Sequence, residues 1–323
     1  MLRTRLCDVL GIETPLVLAP FGPWDQVALA AAVSNAGGLG SVGTAVRSVP
    51  EMRAQWGQLA ELTDRPFAIN HTGRPFDEAA FAATLEFHPH AISFHMGVPA
   101  EHIARAQAEG ILWLQTVGDL DGARRALDAG ADVLIAQGGE AGGNSGWVAT
   151  LVLVPAVVDI AGSTPVVAAG GIGDGRGVAA ALALGAQGAC LGTRFLATTE
   201  MTIDPAWKDR IVAARAEDAV KVENAARVMP PFTIPQTGRP YAPRSLLTPL
   251  TEQLERDPES VDPNLVSRQL LEAVRSGGGH DLLPFAGQSV ALVHDILPAT
   301  ELFARLVTET EEALRNLSAA VKP

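Results

Sequence analysis

Short apolar runs recur along the first 200 residues at intervals of about 20 to 30 residues. Each run is rich in Val, Ile, Leu and Ala, ends at Gly or a polar residue, and precedes a stretch with the apolar spacing of a helix. Because most of the runs are continuously apolar, they fit parallel strands that are buried on both faces. Eight strands are predicted: Leu16–Ala19, Leu39–Val42, Phe67–Asn70, Ala91–His95, Ile111–Gln115, Val133–Ala136, Pro165–Ala168 and Ala189–Leu191.

Helical spacing fills the segments between these strands. The clearest predicted helices are Gln26–Asn35, Glu51–Leu62, Glu101–Glu109, Leu120–Ala129 and Arg176–Leu184. Gly37, Gly110 and Gly130 follow three of them, where a left-handed C-cap is expected. Alternating strands and helices favour an α/β fold, and eight such units are typical of a (β/α)₈ TIM barrel.

A doubly wound Rossmann sheet is the rival architecture. It is expected to carry a GxGxxG turn after its first strand. Here the first strand runs instead into Ala19-Pro20-Phe21-Gly22-Pro23, a rigid turn without that fingerprint. We therefore predict a barrel over residues 1–200.

The repeat stops after the eighth strand. Residues 201–280 are richer in Pro, Arg and acidic residues, including Met229-Pro230-Pro231 and the stretch from Arg239 to Arg244. This region predicts a smaller, mostly helical inserted domain on the substrate side. Residues 281–323 end in an amphipathic segment near Ala320, and we expect a helix that returns to pack on the barrel.

Charge and cysteine content exclude several classes of protein. Lys plus Arg number 24 against 36 Asp plus Glu, a net charge of −12, and no basic run marks a nucleic-acid or anionic-membrane partner. Cys7 and Cys190 lie far apart without a metal-ligand spacing, so neither a disulfide framework nor a metal site is expected.

No targeting or membrane segment is expected either. Asp8 and Glu13 interrupt what would be the apolar centre of a signal peptide. The longest apolar run, Trp147 to Ala161, contains Pro155 and Asp159 and is shorter than the roughly 20 residues of a membrane span. These features predict a cytoplasmic protein without a membrane partner.

Glycine is unusually abundant and is concentrated after the last predicted strands. The chain has 32 Gly in 323 residues, against a usual share of about 7%. Gly170 and Gly171 follow the seventh strand, and Gly192 and Thr193 follow the eighth. In TIM barrels these two loops commonly bind phosphate, because backbone N–H groups and a helix N-terminus face the anion. Tight turns without a ligand are the alternative interpretation.

The loop after the sixth strand, residues 137–146, is the most glycine-dense segment of the chain. Such a loop lets a flat ring lie against bare backbone, with Gln137 supplying an amide at the ring edge. Asn70, His95 and Gln115 end other predicted strands, so we expect amides and an imidazole at one mouth. Taken singly, each of these residues could equally cap or turn the chain.

Several motifs resemble the nitronate monooxygenase family, formerly 2-nitropropane dioxygenases, over nearly the whole chain. They are Ala19-Pro20, Asn35 to Gly40, Gln137 to Gly146, Ala169 to Ile172, Leu191 to Phe195 and Ala286 to Ser289. The resemblance implies an FMN-dependent barrel with a smaller inserted domain, in a superfamily that also contains flavin-dependent enoyl-acyl-carrier-protein reductases and NADH:quinone reductases.

The resemblance also implies where the cofactor binds. It places the FMN phosphate at Gly170, Gly171, Gly192 and Thr193, and the isoalloxazine near Ala19, Asn70, Gln115, Gln137 and Gly138. Pro20, Gly142, Gly143 and Ala169 complete the expected cofactor site.

One position departs from the family pattern. Where Gln-Gly-x-Glu-Ala-Gly-Gly-His is expected, with the His as catalytic base, this chain has Asn144. An amide does not titrate near neutral pH and cannot take a proton as imidazole does. We therefore predict a catalytic set of His95, Asn144 and Ser145, with His95 as the substitute base or a ligand-orienting group and His71 as a second candidate base.

The resulting hypothesis is an FMN-dependent oxidoreductase that oxidises an alkyl nitronate or a related small carbon acid, with O₂ or an organic electron acceptor. One alternative is an NAD(P)H-dependent flavin reductase of an enoyl thioester, activated alkene or quinone. A catalytically silent flavin-binding protein is another. A cofactor-free isomerase or lyase is more distant, because the strand ends carry no Lys or paired carboxylates. The true substrate, the choice between NADH and NADPH, and assembly into a homodimer stay open.

Overall fold

The computed structural model describes residues 2–73, 76–229, 241–276 and 278–320. Of the Pro-rich and Arg-rich stretches that mark the predicted inserted domain, Pro230, Pro231 and Arg239 lie outside the described residues. The main body of the molecule is an eight-stranded parallel sheet with helices between its strands.

The barrel strands are β1 (Leu16–Leu18), β2 (Gly40–Gly43), β3 (Phe67–Thr72), β4 (Ala91–His95), β5 (Leu112–Val117), β6 (Val133–Gln137), β8 (Val166–Ala169) and β9 (Gly188–Leu191), with β7 (Gly143–Ser145) in the loop after β6. Each strand pairs in parallel with its sequence neighbour in the barrel, and β9 pairs with β1. A parallel bridge between Val17 and Leu39 closes the ring between β1 and β2. The TIM barrel is confirmed, and an open doubly wound sheet is excluded.

Helices cover the outside of the barrel. They are α1 (Arg5–Leu10), α2 (Val27–Asn35), α3 (Val49–Leu62), α4 (Glu78–Phe87), α5 (Ala100–Ala108), α6 (Leu120–Asp128), α7 (Thr150–Ala161), α8 (Gly175–Ala183) and the short α9 (Thr193–Leu196). Gly37, Gly110 and Gly130 have positive φ values just beyond α2, α5 and α6, as the sequence predicts. In the described part of the chain, the helices are too short or too polar to cross a bilayer.

Apolar side chains form an inner and an outer layer. Inside the barrel lie alternate residues of the strands, including Val17, Leu114 and Val167, together with Leu6 and Leu10 of α1. The residues between them in sequence point outward and pack under the helices, as Trp113 does. Because α1 fills one end of the barrel, the other end, where the strands finish, is left as the mouth.

The region after the barrel contains both helices and strands. Its elements are α10 (Pro205–Ala213), β10 (Ala219–Lys221), β11 (Ala242–Leu246), α11 (Pro249–Arg256) and α12 (Pro263–Arg275). Val222, Leu254 and Leu283 belong to a small separate apolar core. Trp207 of α10 packs instead into the outer layer of the barrel, so the boundary at residue 201 stays a prediction. Strand β11 pairs antiparallel with both β10 and β7, which joins this region to the loop after β6.

The C-terminal helix α13 (Ala299–Ala320) returns to the barrel, as expected, and packs on α8 and α2. Gly175, the first residue of α8, has no room for a Cβ, which would lie 2.3 Å from Glu309 Cβ. The Gly175 amide donates to Glu309 Oε2 at 2.9 Å. Glycine is therefore needed here for close helix packing.

Candidate active site

Six residues from six strands meet at the mouth of the barrel. Each lies an even number of positions beyond a residue of the inner layer, four for His95 and two for the others, and successive side chains alternate across a strand, so each faces inward. They are Ala19, Asn70, His95, Gln137, Ala169 and Gly192. The structure thus brings together most of the strand-end residues that the sequence predicts, with Pro20 half-buried in the turn that follows Ala19.

A buried carboxylate holds the turn after β1. Asp25 accepts hydrogen bonds from the amides of Phe21 at 2.7 Å and Gly43 at 2.8 Å. Burial raises the pKa of Asp25 to about 6, opposed by these amides and by Arg47, whose guanidinium lies 3.8 Å away. The turn that carries Ala19 and Pro20 is therefore fixed to the end of β2.

The two mouth amides differ in how they are held. Asn70 Nδ2 donates to the Ser93 hydroxyl at 2.9 Å, which orients the amide across β3 and β4. Gln137 Oε1 is buried, and no donor within the described residues reaches it. A buried acceptor left without a donor costs about 1–3 kcal/mol. A ligand with an N–H or O–H group at this point would remove that cost.

Gln115 is not among the residues gathered at the mouth. It shares the outward face of β5 with Trp113, whose indole N–H donates to Gln115 Oε1 at 3.1 Å. Its Nε2 donates to the carbonyls of Gly97 at 2.9 Å and Thr116 at 3.1 Å. This amide is fully buried and joins β5 to the end of β4, and Thr116 takes the inward position.

His71, the second candidate base, also points outward. It is buried against Thr84 of α4, whose hydroxyl donates to the Ala80 carbonyl, so His71 Nε2–H donates to Thr84 Oγ1 at 2.9 Å. Burial lowers the pKa of His71 to about 4. His71 is thus a neutral residue of the outer layer and does not reach the mouth.

The glycine loop, residues 137–146, packs tightly against its surroundings. A Cβ on Gly138 would lie 2.0 Å from Thr150 Oγ1, and one on Gly142 would lie 2.7 Å from the Ala286 carbonyl carbon. Glu140 accepts a hydrogen bond from the Thr150 amide at 2.9 Å and so caps α7. Gly143 differs, because it has φ +63° and open space around its Cβ position.

The loops after β8 and β9 contain the predicted phosphate-binding residues. Gly170 and Gly171 both have positive φ values, of +97° and +74°, which only glycine adopts readily. A Cβ on Gly192 would lie 3.4 Å from Ala19 Cβ, at the edge of the mouth. Thr193 Oγ1 accepts a hydrogen bond from the Gly287 amide at 2.9 Å, which leaves its own proton to donate.

The N-terminus of α8, which follows the Gly170–Gly171 loop, is partly satisfied by side chains of this chain. Asp174 caps the helix by accepting from the Gly177 amide at 3.1 Å, and Glu309 accepts from Gly175. Two of the first three amides of this helix are therefore already paired, and the expectation that its N-terminus faces a phosphate stays a prediction. The glycines themselves and Thr193 are what these two loops offer an anion.

Asn144 and Ser145 lie in β7, paired with β11. The Ser145 hydroxyl is fully buried, donates to the Ala141 carbonyl at 3.3 Å and accepts from Lys221 Nζ at 2.7 Å. It is therefore committed to holding the loop. The Asn144 side chain makes no hydrogen bond within the described residues, and its amide is free to donate and accept.

His95 is joined to Asn144 through the backbone. Its Nε2–H donates to the Asn144 carbonyl at 2.9 Å, which leaves Nδ1 as the unprotonated nitrogen. Burial lowers the pKa of His95 to about 4, a shift that the Asn144 carbonyl opposes. At neutral pH this imidazole is therefore uncharged and a weak base.

Lys221 of β10, Arg244 of β11 and Tyr241, just before β11, complete the rim, and the sequence did not identify them as site residues. Lys221 binds carbonyls of the glycine loop, and both Nε and Nη2 of Arg244 donate to the Gly139 carbonyl, at 3.1 and 2.9 Å. Tyr241 lies with its ring centroid 6.1 Å from that of His95, and burial raises its pKa to about 12. Tyr241 is the only tyrosine of the chain, which is the one signal that could have singled it out.

These features fit a flat, hydrogen-bonding cofactor with a phosphate group. The unpartnered Gln137 Oε1 lies at the mouth, Gly192 lies beside Ala19, and the positive-φ glycines Gly170 and Gly171 form the loop after β8. The arrangement provides bare backbone for a ring and amides for its edge. Strong bases are missing from the inward-facing strand ends, since His95 is neutral and Glu140 caps α7.

Several known proteins are similar to this chain over most of its length. A family model described as nitronate monooxygenase matches residues 3–82 and 71–309. A nitronate monooxygenase of Paraburkholderia phytofirmans is 33% identical over 98% of this chain and 97% of its own length. A (3aS,4S,5R,7aS)-5-hydroxy-7a-methyl-1-oxo-octahydro-1H-indene-4-carboxyl-CoA dehydrogenase of Mycobacterium tuberculosis is 37% identical, covering 79% of this chain and 69% of that protein. The structure of FabK from Thermotoga maritima superposes with a TM-score of 0.89 and 32% identity, over 99% of this chain and 100% of that one.

Proposed function

We propose, from the premise that this chain belongs to the nitronate monooxygenase family, that it oxidises an alkyl nitronate or a related carbon acid that arrives already deprotonated. That the chain is a flavin-dependent oxidoreductase follows from the family. The proposal covers the choice of FMN, the anionic substrate, and the acceptor, which is O₂ or an organic molecule. The observation that carries it is the mouth itself, where His95 is neutral and where the resemblance to the family puts Asn144 at the position of the catalytic base.

The glycine loops would hold FMN. Gly170, Gly171, Gly192 and Thr193 provide the cradle for its phosphate, and the ring would lie near Ala19, Asn70, Gln137 and Gly138. When bound, FMN would supply the redox centre that takes electrons from the substrate and passes them to the acceptor. Gln115 supports this site indirectly, because its amide joins β5 to the end of β4.

Asn144 then sets the kind of substrate that reacts. A carboxamide donates and accepts hydrogen bonds but cannot accept a proton from carbon at neutral pH. His95 has a free Nδ1, yet a pKa of about 4 makes it a poor base for a neutral nitroalkane. An anionic nitronate needs no base, and the Asn144 amide can donate a hydrogen bond to its oxygens.

A reductive role is the second candidate. The CoA-thioester dehydrogenase relative and the FabK structure are as similar to this chain as the nitronate monooxygenase is. In that case NAD(P)H would reduce the flavin, and an enoyl thioester, an activated alkene or a quinone would reoxidise it. A mouth without a strong base suits both candidates, so the substrate has to be tested directly.

Anaerobic titration of the purified protein separates these possibilities. We expect a visible flavin spectrum that propyl nitronate bleaches at least about 100-fold faster than neutral nitropropane, since a general base contributes 10²–10⁴-fold. Bleaching by NAD(P)H in preference to nitronate would replace the proposal with the reductive role. A flavin that neither reductant bleaches would indicate a silent flavin-binding protein, and a protein that binds no flavin would overturn both enzymatic readings.

A further inference from the structure

Lys221, at the end of β10, places its ammonium group under the C-terminal half of the glycine loop. Nζ lies 2.7 Å from the Ser145 carbonyl, 2.7 Å from the Ser145 hydroxyl and 2.8 Å from the Gly146 carbonyl. The ring centroid of Trp147 is 5.0 Å away, within the range of a cation–π contact. One cation therefore binds the last two residues of the loop and contacts Trp147, which follows it.

Lys221 lies opposite a second cation in the three-stranded sheet formed by β10, β11 and β7. Lys221 and Arg244 occupy directly opposed positions in the antiparallel pair of β10 and β11. Like charges at such positions are destabilising. Here each cation turns to a different part of the same loop, Arg244 to Gly139 and Lys221 to Ser145 and Gly146.

These contacts fix the orientation of two peptide planes. In a trans peptide the C=O and the following N–H point in opposite directions. Because the carbonyls of Ser145 and Gly146 face Nζ, the amides of Gly146 and Trp147 are directed away from it. Rotation of either peptide plane would break a charge-assisted hydrogen bond, which is about twice as strong as a neutral one.

The rest of the loop backbone is held as well. The Glu140 carbonyl accepts from the Gln288 amide at 2.9 Å, and the Asn144 carbonyl accepts from His95. The Asn144 side chain, by contrast, makes no such hydrogen bond within the described residues. Its position therefore depends on the backbone around it, which includes the 144–145 peptide bound by His95 and the next two peptides, bound by Lys221.

We propose that Lys221 is a positioning residue for the active-site loop, acting through the carbonyls of Ser145 and Gly146 to hold Asn144 against the mouth. This rests on the proposed function, in which Asn144 contacts the substrate. Removing the ammonium group frees the two peptide planes and lets Asn144 move. A displacement of about 1 Å at a catalytic site can cost roughly 100-fold in rate.

The test compares Lys221→Met with Lys208→Met. Lys208 is a matched control, because its Nζ also donates to a carbonyl, that of Thr198, which does not belong to the glycine loop. For Lys221→Met we expect a 10- to 100-fold fall in kcat with propyl nitronate, faster amide hydrogen exchange over residues 139–147, and retained flavin. Lys208→Met should show wild-type exchange in that loop and wild-type kcat.

A second variant covers the case in which Lys221→Met does not fold. Lys221→Arg keeps the charge, but a planar guanidinium cannot converge on these oxygens as one ammonium does. We expect a stable protein with reduced kcat and faster exchange in the loop. Wild-type kcat and wild-type exchange in the folded variants would overturn the inference. A wild-type enzyme that does not oxidise nitronate would instead overturn the proposed function, and the exchange measurement would still decide the role of Lys221.

Discussion

The two sides of the barrel mouth are held by different kinds of contact. On the β3 to β5 side, side chains bind groups on adjacent strands: Asn70 binds Ser93, 23 residues away, and Gln115 binds Gly97, 18 residues away. On the β6 side, the glycine loop is held through its own carbonyls by Lys221 and Arg244, which lie 76 and 105 residues from their partners. The first side is rigid because the barrel is. The second depends on how a separate sheet docks, so we expect variation in chemistry to concentrate there.

The largest effect should come from crowding the glycine loop. Gly138→Ala would put a Cβ within 2.0 Å of Thr150 Oγ1 and 2.5 Å of its amide nitrogen. We expect loss of bound flavin and a decrease of about 1–3 kcal/mol in the free energy of unfolding, the usual cost of overpacking. Urea unfolding and the flavin absorbance per protein measure the two effects.

Gly57→Ala is the matched control for that substitution. Gly57 lies in α3 with no atom within 4 Å of its Cβ position, so Ala should stabilise the helix by up to about 1 kcal/mol. Flavin content should not change. If Gly138→Ala kept its flavin and its stability, tight packing of the loop against α7 would not be what holds the site together.

His71, on the β3 to β5 side, should have a smaller effect, on how the stability of the protein depends on pH. The pKa of His71 is about 4 in the folded protein and about 6.5 when unfolded, so the unfolded chain binds more protons between these values. Stability should therefore fall as pH drops below about 6.5, and His71→Gln should remove about 1 kcal/mol of the loss between pH 7 and 5.5.

The pH test needs the difference between the two proteins, because Asp25 acts in the opposite direction. Its pKa is raised in the folded state, so protonation of Asp25 stabilises the fold as pH falls through about 6. That contribution is common to wild type and His71→Gln and cancels in the comparison. Identical pH dependence of unfolding in both proteins would show that His71 is not buried as a neutral ring.

The two sides of the mouth also differ in how well the sequence predicts their structure. All eight barrel strands were predicted to within about two residues at each end, because parallel strands buried on both faces read as apolar runs. Because both faces of such strands are apolar, the sequence does not show to which face the Gln115 side chain points. Trp113 and Leu114 face opposite layers but are both apolar, so the run carries no period of two from which to tell inward from outward.

The glycine loop could be recognised but not assembled from the sequence. Its glycines marked it as a candidate site, and the sequence predicts a departure from the family pattern at Asn144. Lys221 and Arg244 carry no local signal, because their role arises only when β10 and β11 pair and β7 joins them. Their contribution is a property of the tertiary structure.

Substitution of Asn144 tests most directly the claim that the mouth lacks a base for neutral substrates. Wild type, Asn144→His and Asn144→Ala should be compared for the ratio of kcat/KM on propyl nitronate to that on neutral nitropropane. We predict that wild type and Asn144→Ala strongly favour the nitronate, and that Asn144→His lowers this ratio about 10-fold or more by restoring a base. Equal rates on both substrates in the wild type would contradict the account, because another group, such as His95, would then be removing the proton.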